Sequence, residues 1–346
     1  MTKIEKGLTL LFLGTMITGM KMTPPIAKLS PPIANKIPKD VTIHGDTRID
    51  NYFWLRERDT QPVLDYLNAE NDFTFAKMEH TQKLQEKLYQ EMRGRIKEDD
   101  STVPYKFGTY QYYTRTEEGQ QYDIYCRKQG SMAGKEEVTL NLNEMAQKHD
   151  YLVLNAYKIS PDEKKLAFTI DTTGAEFHKL IIKDLETGRI LDDHLSDLDG
   201  SVEWANDNQT LFYTKLDAAH RPYQLWRHQL GDEQSQDVLI HQEDDDRFFV
   251  ELHRTKSGAF LKMALGSNIT TEVHLLDRND PLGEWQMVQP REQGVEYYIY
   301  HHGNYLYHLT NKDAVNFKLV RSPLGRGQEE LIIPNRETTY LKEVTL

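Results

Sequence analysis

The chain contains a single cysteine, Cys126, and no long hydrophobic run. One cysteine excludes a disulfide framework and any cysteine-based zinc site. The longest apolar stretch, residues 8–20 (LTLLFLGTMITGM), is too short for a membrane-crossing helix, which needs about 20 residues. Cations are in deficit, with 42 Lys and Arg against 54 Asp and Glu and a net charge of −12. A general nucleic-acid binder is therefore excluded, because nothing here would neutralise a row of phosphates. Apolar residues are only 38% of the 346. A disordered chain is excluded all the same, since 19 Tyr, 12 Phe and 4 Trp are too many buried-type rings for one. No G-x-S-x-G nucleophile elbow occurs; Ser131 in QGSMAG and Ser267 in ALGSNIT lack the flanking glycines. P-loop, HExxH and dinucleotide glycine patterns are also absent. No catalytic residue, metal ligand or cofactor site is expected on these grounds.

Lys3 and Lys6 precede the apolar stretch, a pattern that fits a secretory signal peptide and hence a periplasmic or secreted protein. The other reading is a true start at Met20 or Met22, which leaves the chain cytoplasmic. Residues 1–22 are set apart on either reading. Residues 23–98 form the next unit, an extended and helical arm. Its beginning, TPPIAKLSPPIANKIP, is spaced by prolines that keep preceding residues out of helical space. A helix is expected after Asp59 or Thr60, with Pro62 tolerated in its first turn. Leu64, Leu67, Phe75 and Met78 lie near helical spacing, and Leu84, Leu88 and Met92 follow at four-residue intervals. Gly94 suits the stop. The stripe is a packing face whose partner is not evident.

From residue 99 to 346 the periodicity changes to alternation with polar turns. One hairpin recurs as VPYKFGTYQYYTRTEEG, LNAYKISPDEKKLAFTID, VEWANDNQTLFYTKLD, ELHRTKSGAFLKMALGS and YYIYHHGNYLYHLTNK. Anchoring on the turn gives Gly108, Asp162, Asp207, Gly258 and Gly303. Anchoring on the third strand gives Tyr122, His178, Tyr223, Thr271 and Asn316. Both series advance by 45 to 56 residues, and four short strands per period of this size describe a β-propeller blade. The expected fold class is all-β, a propeller of five complete four-stranded blades preceded by an α-helical N-terminal arm. Residues 338–346 (TTYLKEVTL) read as the opening strand of a sixth blade.

Few residues invite a chemical role. His301, His302 and His308 share a hairpin, but neighbours on a strand face opposite sides, so at most one of the first two can join His308. They are expected to be exposed. Glu243, Asp244, Asp245 and Asp246 are expected as a solvated turn, or as a negative rim for basic peptides. Asp171, Asp184 and Asp197 occupy turn positions with no visible partner. Cys126 alternates within a strand and reads as a small buried hydrophobe.

Taken in order, PPIANKIPKDVTIHGDTRIDNYFWLR (31–56), RTEEGQQYDIYCRK (115–128), ISPDEKKLAFTID (159–171), KDLETGRIL (183–191), SVEWANDNQTLFYT (201–214) and RPYQLWRHQLG (221–231) carry a resemblance. From about residue 31 onward the sequence resembles the N-terminal part of the oligopeptidase B type of the prolyl oligopeptidase family of serine peptidases. That resemblance implies a seven-bladed propeller over an α/β-hydrolase domain, with the arm packed on the latter. It implies oligopeptide substrates cut after Arg or Lys, with access restricted by the propeller, and no stable membrane span. The Ser-Asp-His triad belongs to the hydrolase domain, which has no counterpart in these 346 residues, so no site residue is carried over. The chain is expected to be inactive alone and to need a missing or separately encoded hydrolase domain as partner. The alternative is a stand-alone propeller serving as a protein-interaction module.

Overall fold

The computed structural model describes residues 29–325 and 327–346, so the expected leader over residues 1–22 lies outside the described residues. The chain divides into two compact units, one ending at Lys97 and the other beginning at Glu98.

The first unit opens with a hairpin of β1 (Lys39–Ile43) and β2 (Asp46–Asp50). His44 and Gly45 close it with φ of 53° and 80°, the double positive φ that a tight two-residue turn needs. Helix α1 (Gln61–Met78) begins after Thr60 with Pro62 in its first turn. The Thr60 hydroxyl does not cap the helix; it donates to the Glu57 carbonyl at 2.8 Å. A 3-10 turn at Glu79–Thr81 leads to α2 (Gln82–Arg93). Gly94 ends it in right-handed conformation, φ −65°, so its left-handed freedom is not used. Val63 is the one buried residue among those described in this unit. Leu67, Phe75, Leu84 and Met92 are 49%, 74%, 56% and 60% exposed. The apolar stripe is real, and within its own unit it covers nothing.

The second unit is built of four-stranded antiparallel sheets. The first blade comprises β3 (Tyr105–Phe107), β4 (Tyr110–Arg115), β5 (Ile124–Gln129) and β6 (Glu136–Asn141), followed by the short helix α3 (Leu142–Ala146). The second and third blades share a strand. β7 (Val153–Ile159), β8 (Lys165–Asp171) and β9 (His178–Asp184) lead into β10 (Ile190–Trp204), which continues into β11 (Thr210–Leu216), β12 (Pro222–Gln229) and β13 (Val238–Gln242). The fourth blade is β14 (Phe249–Arg254), β15 (Phe260–Gly266), β16 (Thr271–Asp277) and β17 (Gln286–Gln289). The fifth is β18 (Tyr297–His302), β19 (Tyr305–Thr310), β20 (Lys318–Pro323) and β21 (Glu330–Ile333).

Two details differ from the sequence expectation. The outer strand of blade two and the inner strand of blade three are one strand, β10. Its register shifts near His194, Leu195 and Leu198. Gly200, at φ +107°, lets it swing between sheets where a Cβ would lie 1.9 Å from the Asn155 side chain. Residues 338–346 do not form an opening strand. They lie against blade five instead, where Leu341 and Val344 join Leu309, Phe317 and Leu319 in one apolar cluster. A strand needs a neighbouring edge to pair with, and apolar burial on the blade face takes its place here.

Most of the core lies between blades, with a smaller cluster of Tyr113, Ile124 and Cys126 on blade one. Tyr112, Leu140, Phe168 and Ile170 fill the gap between blades one and two. Leu180, Val202, Trp204 and Tyr213 fill the next, and Phe212, Val250, Leu261 and Met263 the one after. Between blades four and five the cluster shrinks to Val273, Leu275, Tyr297, Ile299 and Leu306.

Blade three also buries a charged centre. The fully buried His228 ring contacts Asp237 through Nδ1 at 2.7 Å and Asp193 through Nε2 at 3.2 Å, while the Tyr213 hydroxyl donates to Asp237 at 2.7 Å. Burial opposes charge on the ring, but hydrogen bonds and attraction from Asp237 and then Asp193 outweigh it and raise its pKa. With the folded value raised, this contribution to stability is complete below about pH 6.5, the free-histidine value. It is lost as pH rises through the folded pKa. Urea midpoints are therefore expected to fall between pH 6 and 9 in the native chain. His228→Gln should lower stability by about 3–5 kcal/mol at pH 6 and flatten that dependence. A variant with the same pH slope as the native chain would remove His228 as its source.

Candidate functional site at the turn rim and inner edge

The turn anchors read from the sequence, Gly108, Asp162, Asp207, Gly258 and Gly303, all fall between the first two strands of a blade. In space these turns form one rim, stitched from blade to blade by polar side chains. At the blade one–two junction, the Glu163 carboxylate accepts from the Thr109 amide at 3.0 Å and the Thr109 hydroxyl at 2.9 Å. Arg127 donates to the Glu163 carbonyl at 2.6 Å. Gly108 is required there, being at φ +55° with any Cβ only 2.4 Å from that carboxylate. At the next junction the Asp162 amide donates to Asn208 Oδ1 at 2.8 Å. Blade four reaches blade three through Arg278, which donates to the Trp204 carbonyl at 3.0 Å and accepts the Asn206 amide at 2.8 Å. Arg278 is buried, and that burial, with the nearby charge of Arg254, pulls its pKa down to about 10. The last stitch joins Ser257 Oγ to His301 Nδ1 at 2.7 Å.

The first strands of blades two, three and four, β7, β10 and β14, approach one another along the inner edge. Their open positions carry Phe249, Glu251 and His253 on β14 and Tyr298 and His302 on β18, all exposed. Arg254 crosses to blade one, its guanidinium 5.5 Å from the centre of the Phe107 ring. His253 contacts Glu251 at 3.2 Å, and that hydrogen bond holds the Glu251 carboxyl below its usual range. The inner edge thus offers exposed aromatic faces and paired charges.

Several candidate residues behave differently from the sequence expectation. His301 and His308 are buried, and only His302 is exposed. His301 packs edge-on against Phe260, and His308 contacts Ser322 Oγ at 2.9 Å. Glu243 is also buried and is bound by Arg291, which Glu272 holds from the other side at 3.2 Å. Asp245 is paired with Arg247 at 2.6 Å, and that bond keeps its carboxyl well below the usual range. The acidic run is therefore largely neutralised locally, with Asp244 and Asp246 left exposed. Asp171 is not partnerless: it is buried and accepts from Thr173, Gly174 and Glu176 in the turn after β8. Asp184 does the same for Thr187 at 2.7 Å, and Asp197 accepts from the Ser196 hydroxyl at 3.2 Å. Cys126 is buried in β5, and burial pushes its thiol up to about 11, so it is not a nucleophile at neutral pH.

Hydrolysis by a serine triad needs one imidazole holding a serine on one nitrogen and a carboxylate on the other. His301 and His308 each hold a serine, but their second nitrogens are buried without a partner. His228 holds carboxylates on both nitrogens and no serine. Among the described residues no histidine combines the two.

Residues 31–346 match the family described as prolyl oligopeptidase, N-terminal β-propeller domain. The chain belongs to that family. It is 36% identical over 321 residues to Protease 2 of Moraxella lacunata, covering 90% of this chain and 46% of that protein. It is 33% identical over 340 residues to dipeptidyl aminopeptidase BI of Pseudoxanthomonas mexicana, covering 92% and 47%. Among solved structures, oligopeptidase B from Leishmania major superposes with a TM-score of 0.84 at 31% identity, covering 91% of this chain and 48% of that one. Oligopeptidase B from Trypanosoma brucei with covalently bound antipain gives 0.82 at 31%, covering 92% and 48%. The chain spans about half the length of the relatives it matches. None of its described helices is long and apolar enough to cross a membrane.

The rim can be tested directly. Glu163→Ala is expected to cost about 0.5–1.5 kcal/mol, the net worth of an exposed hydrogen bond, because water can replace the acceptor lost by Thr109, while Glu163→Gln should recover part of the loss. Urea melts read both variants. An unchanged midpoint for the alanine variant would show that this stitch does not hold blade one to blade two.

Proposed function

We propose that this chain is the arm-and-propeller part of an oligopeptidase B-like serine endopeptidase that cleaves short peptides after Arg or Lys. In this reading the propeller limits what reaches an α/β-hydrolase domain, and hydrolysis is done by residues of that domain. The carrying observation is the coverage pattern: about nine-tenths of this chain aligns with Protease 2 and with oligopeptidase B, yet with less than half of each. The open apolar stripe of α1 and α2 supports it, since such a face is stable in water only when something covers it. The net charge of −12 is compatible with cationic peptides.

The purified 346-residue chain is expected to leave an Arg-containing fluorogenic peptide uncut. Co-expression with the hydrolase domain of a close relative should restore turnover that a serine-directed inhibitor abolishes. Because a dipeptidyl aminopeptidase is also among the relatives, the assay should compare an internal Arg site with release of an N-terminal dipeptide. Inhibitor-sensitive turnover by the chain alone would overturn the division of labour. A reconstituted enzyme that prefers dipeptide release would overturn the specificity.

A further inference from the structure

Blades four and five leave space between them. Their shared cluster of Val273, Leu275, Tyr297, Ile299 and Leu306 is the smallest of those between blades, and beside it lies a cavity of about 1140 Å³. Its lining comes from β15, β16 and β17 on one side and from β19 and β20 on the other, with the loops that follow. Leu275, Leu276, Leu306 and Val320 are buried and form an apolar floor. Met287 and Leu324 stay exposed on the wall. An apolar floor that opens to solvent can receive a side chain from outside.

The charged groups of the wall are sorted by sign. Asp277 ends β16, Asp280 and Glu284 lie in the loop from β16 to β17, and Glu329 lies in the loop from β20 to β21. Both loops join the third strand of a blade to the fourth. In antiparallel sheets such loops leave at the end that also carries the first turn, here the rim. Four carboxylates therefore gather at the rim end of the cavity. The cations of the wall do not answer them. Arg291 is held by Glu243 and Glu272, Lys312 pairs with Glu292 at 2.6 Å, and Lys318 stands at the opposite end, where β20 begins. Among the described residues no three His, Cys, Asp or Glu side chains are grouped to hold a metal ion. The negative charge is spread along a wall, which suits an extended organic cation.

We propose that this cavity docks a short basic peptide segment. An Arg or Lys head lies among Asp277, Asp280, Glu284 and Glu329, and a neighbouring apolar side chain rests on Leu275, Leu306 and Val320. Charge complementarity sets the sign of the occupant, and the apolar floor sets the need for a second, uncharged side chain beside the cation. The Asn279 amide donates to Asp277 at 2.8 Å and fixes that carboxylate at the start of its loop. The inner edge is built by first strands such as β14, whereas the cavity is lined by later strands, so a docked peptide lies to the side of the passage. The site makes no use of the proposed hydrolysis and stands or falls separately from it.

Titration calorimetry of the 346-residue chain with acetyl-Leu-Arg-amide tests the proposal, the amide cap offering no anion to Lys318. The citrulline counterpart, alike in shape and uncharged, should bind about ten-fold more weakly. Acetyl-Gly-Arg-amide, which lacks the apolar side chain, should bind about five-fold more weakly. Glu284→Gln combined with Glu329→Gln removes one exposed carboxylate from each blade. That variant should lose affinity for the Arg peptide about five-fold at an unchanged melting temperature. Asp244→Asn combined with Asp246→Asn, exposed acids outside the cavity, should keep native affinity, which separates docking here from general attraction to an acidic chain. The proposal is overturned by no binding of the Arg peptide or by equal affinity for its citrulline or glycine counterpart. Native affinity in the Glu284 and Glu329 variant, or an equal loss in the Asp244 and Asp246 variant, overturns it too.

Discussion

The structure depends on apolar contact between successive sheets. A four-stranded sheet such as β14–β17 has two faces, and along β14 Val250 and Leu252 are buried against blade three while Phe249 and Glu251 remain open. A blade has no interior of its own, so it is stable only where a neighbour covers it. The same condition governs residues 338–346, which cover part of the remaining face of blade five with Leu341 and Val344. Polar bonding then specifies what burial makes stable. Packing of Leu, Val and Phe tolerates small slips between sheets, whereas the bonds from Glu163, Asn208, Arg278 and Ser257 each require one register.

The fold was legible because its signal is local and repeated. Alternation within a hairpin and a turn residue every 45 to 56 positions depend on neighbours within a few residues. The arm was legible for the same reason, since helical spacing at Leu84, Leu88 and Met92 is a property of a single element. What escaped was every feature whose cause lies in another blade. His301 appears as an exposed hairpin residue until Ser257 and Phe260, more than forty positions earlier, are brought beside it. Glu243 reads as part of a solvated acidic run until Arg291 arrives from the far side of blade four. The continuity of β10 escaped because the polar SDLDGS segment imitates a turn, while the close approach of Asn155 at Gly200 is what shapes it into a strand passing between sheets.

The candidate site was less legible than the fold, for a physical reason. Hydrolytic sites announce themselves by motifs in which one strand or helix carries several participants, as G-x-S-x-G does. On the proposed reading the propeller acts by gating, and a gating surface has no such compact signature. Phe107 and Arg254 are 147 positions apart and meet only because blades one and four face each other across the inner edge. Family resemblance supplied what periodicity could not, and the geometry brought Phe107 and Arg254 together at the inner edge.

On the proposed reading, stability and selectivity share one origin. The first strands are drawn together by the inter-blade cores, and this approach is what lets Arg254 reach Phe107. A passage formed this way discriminates mainly by width, because its side chains, such as Glu251 with His253, are largely paired with each other. Width admits any slender peptide, basic or not. Preference for Arg or Lys would then have to arise where the substrate is held for reaction, in the hydrolase domain, and the propeller would exclude folded proteins without selecting among short peptides. Loosening a rim stitch in the assembled enzyme should accordingly relax the limit on substrate size while leaving the preferred side chain unchanged.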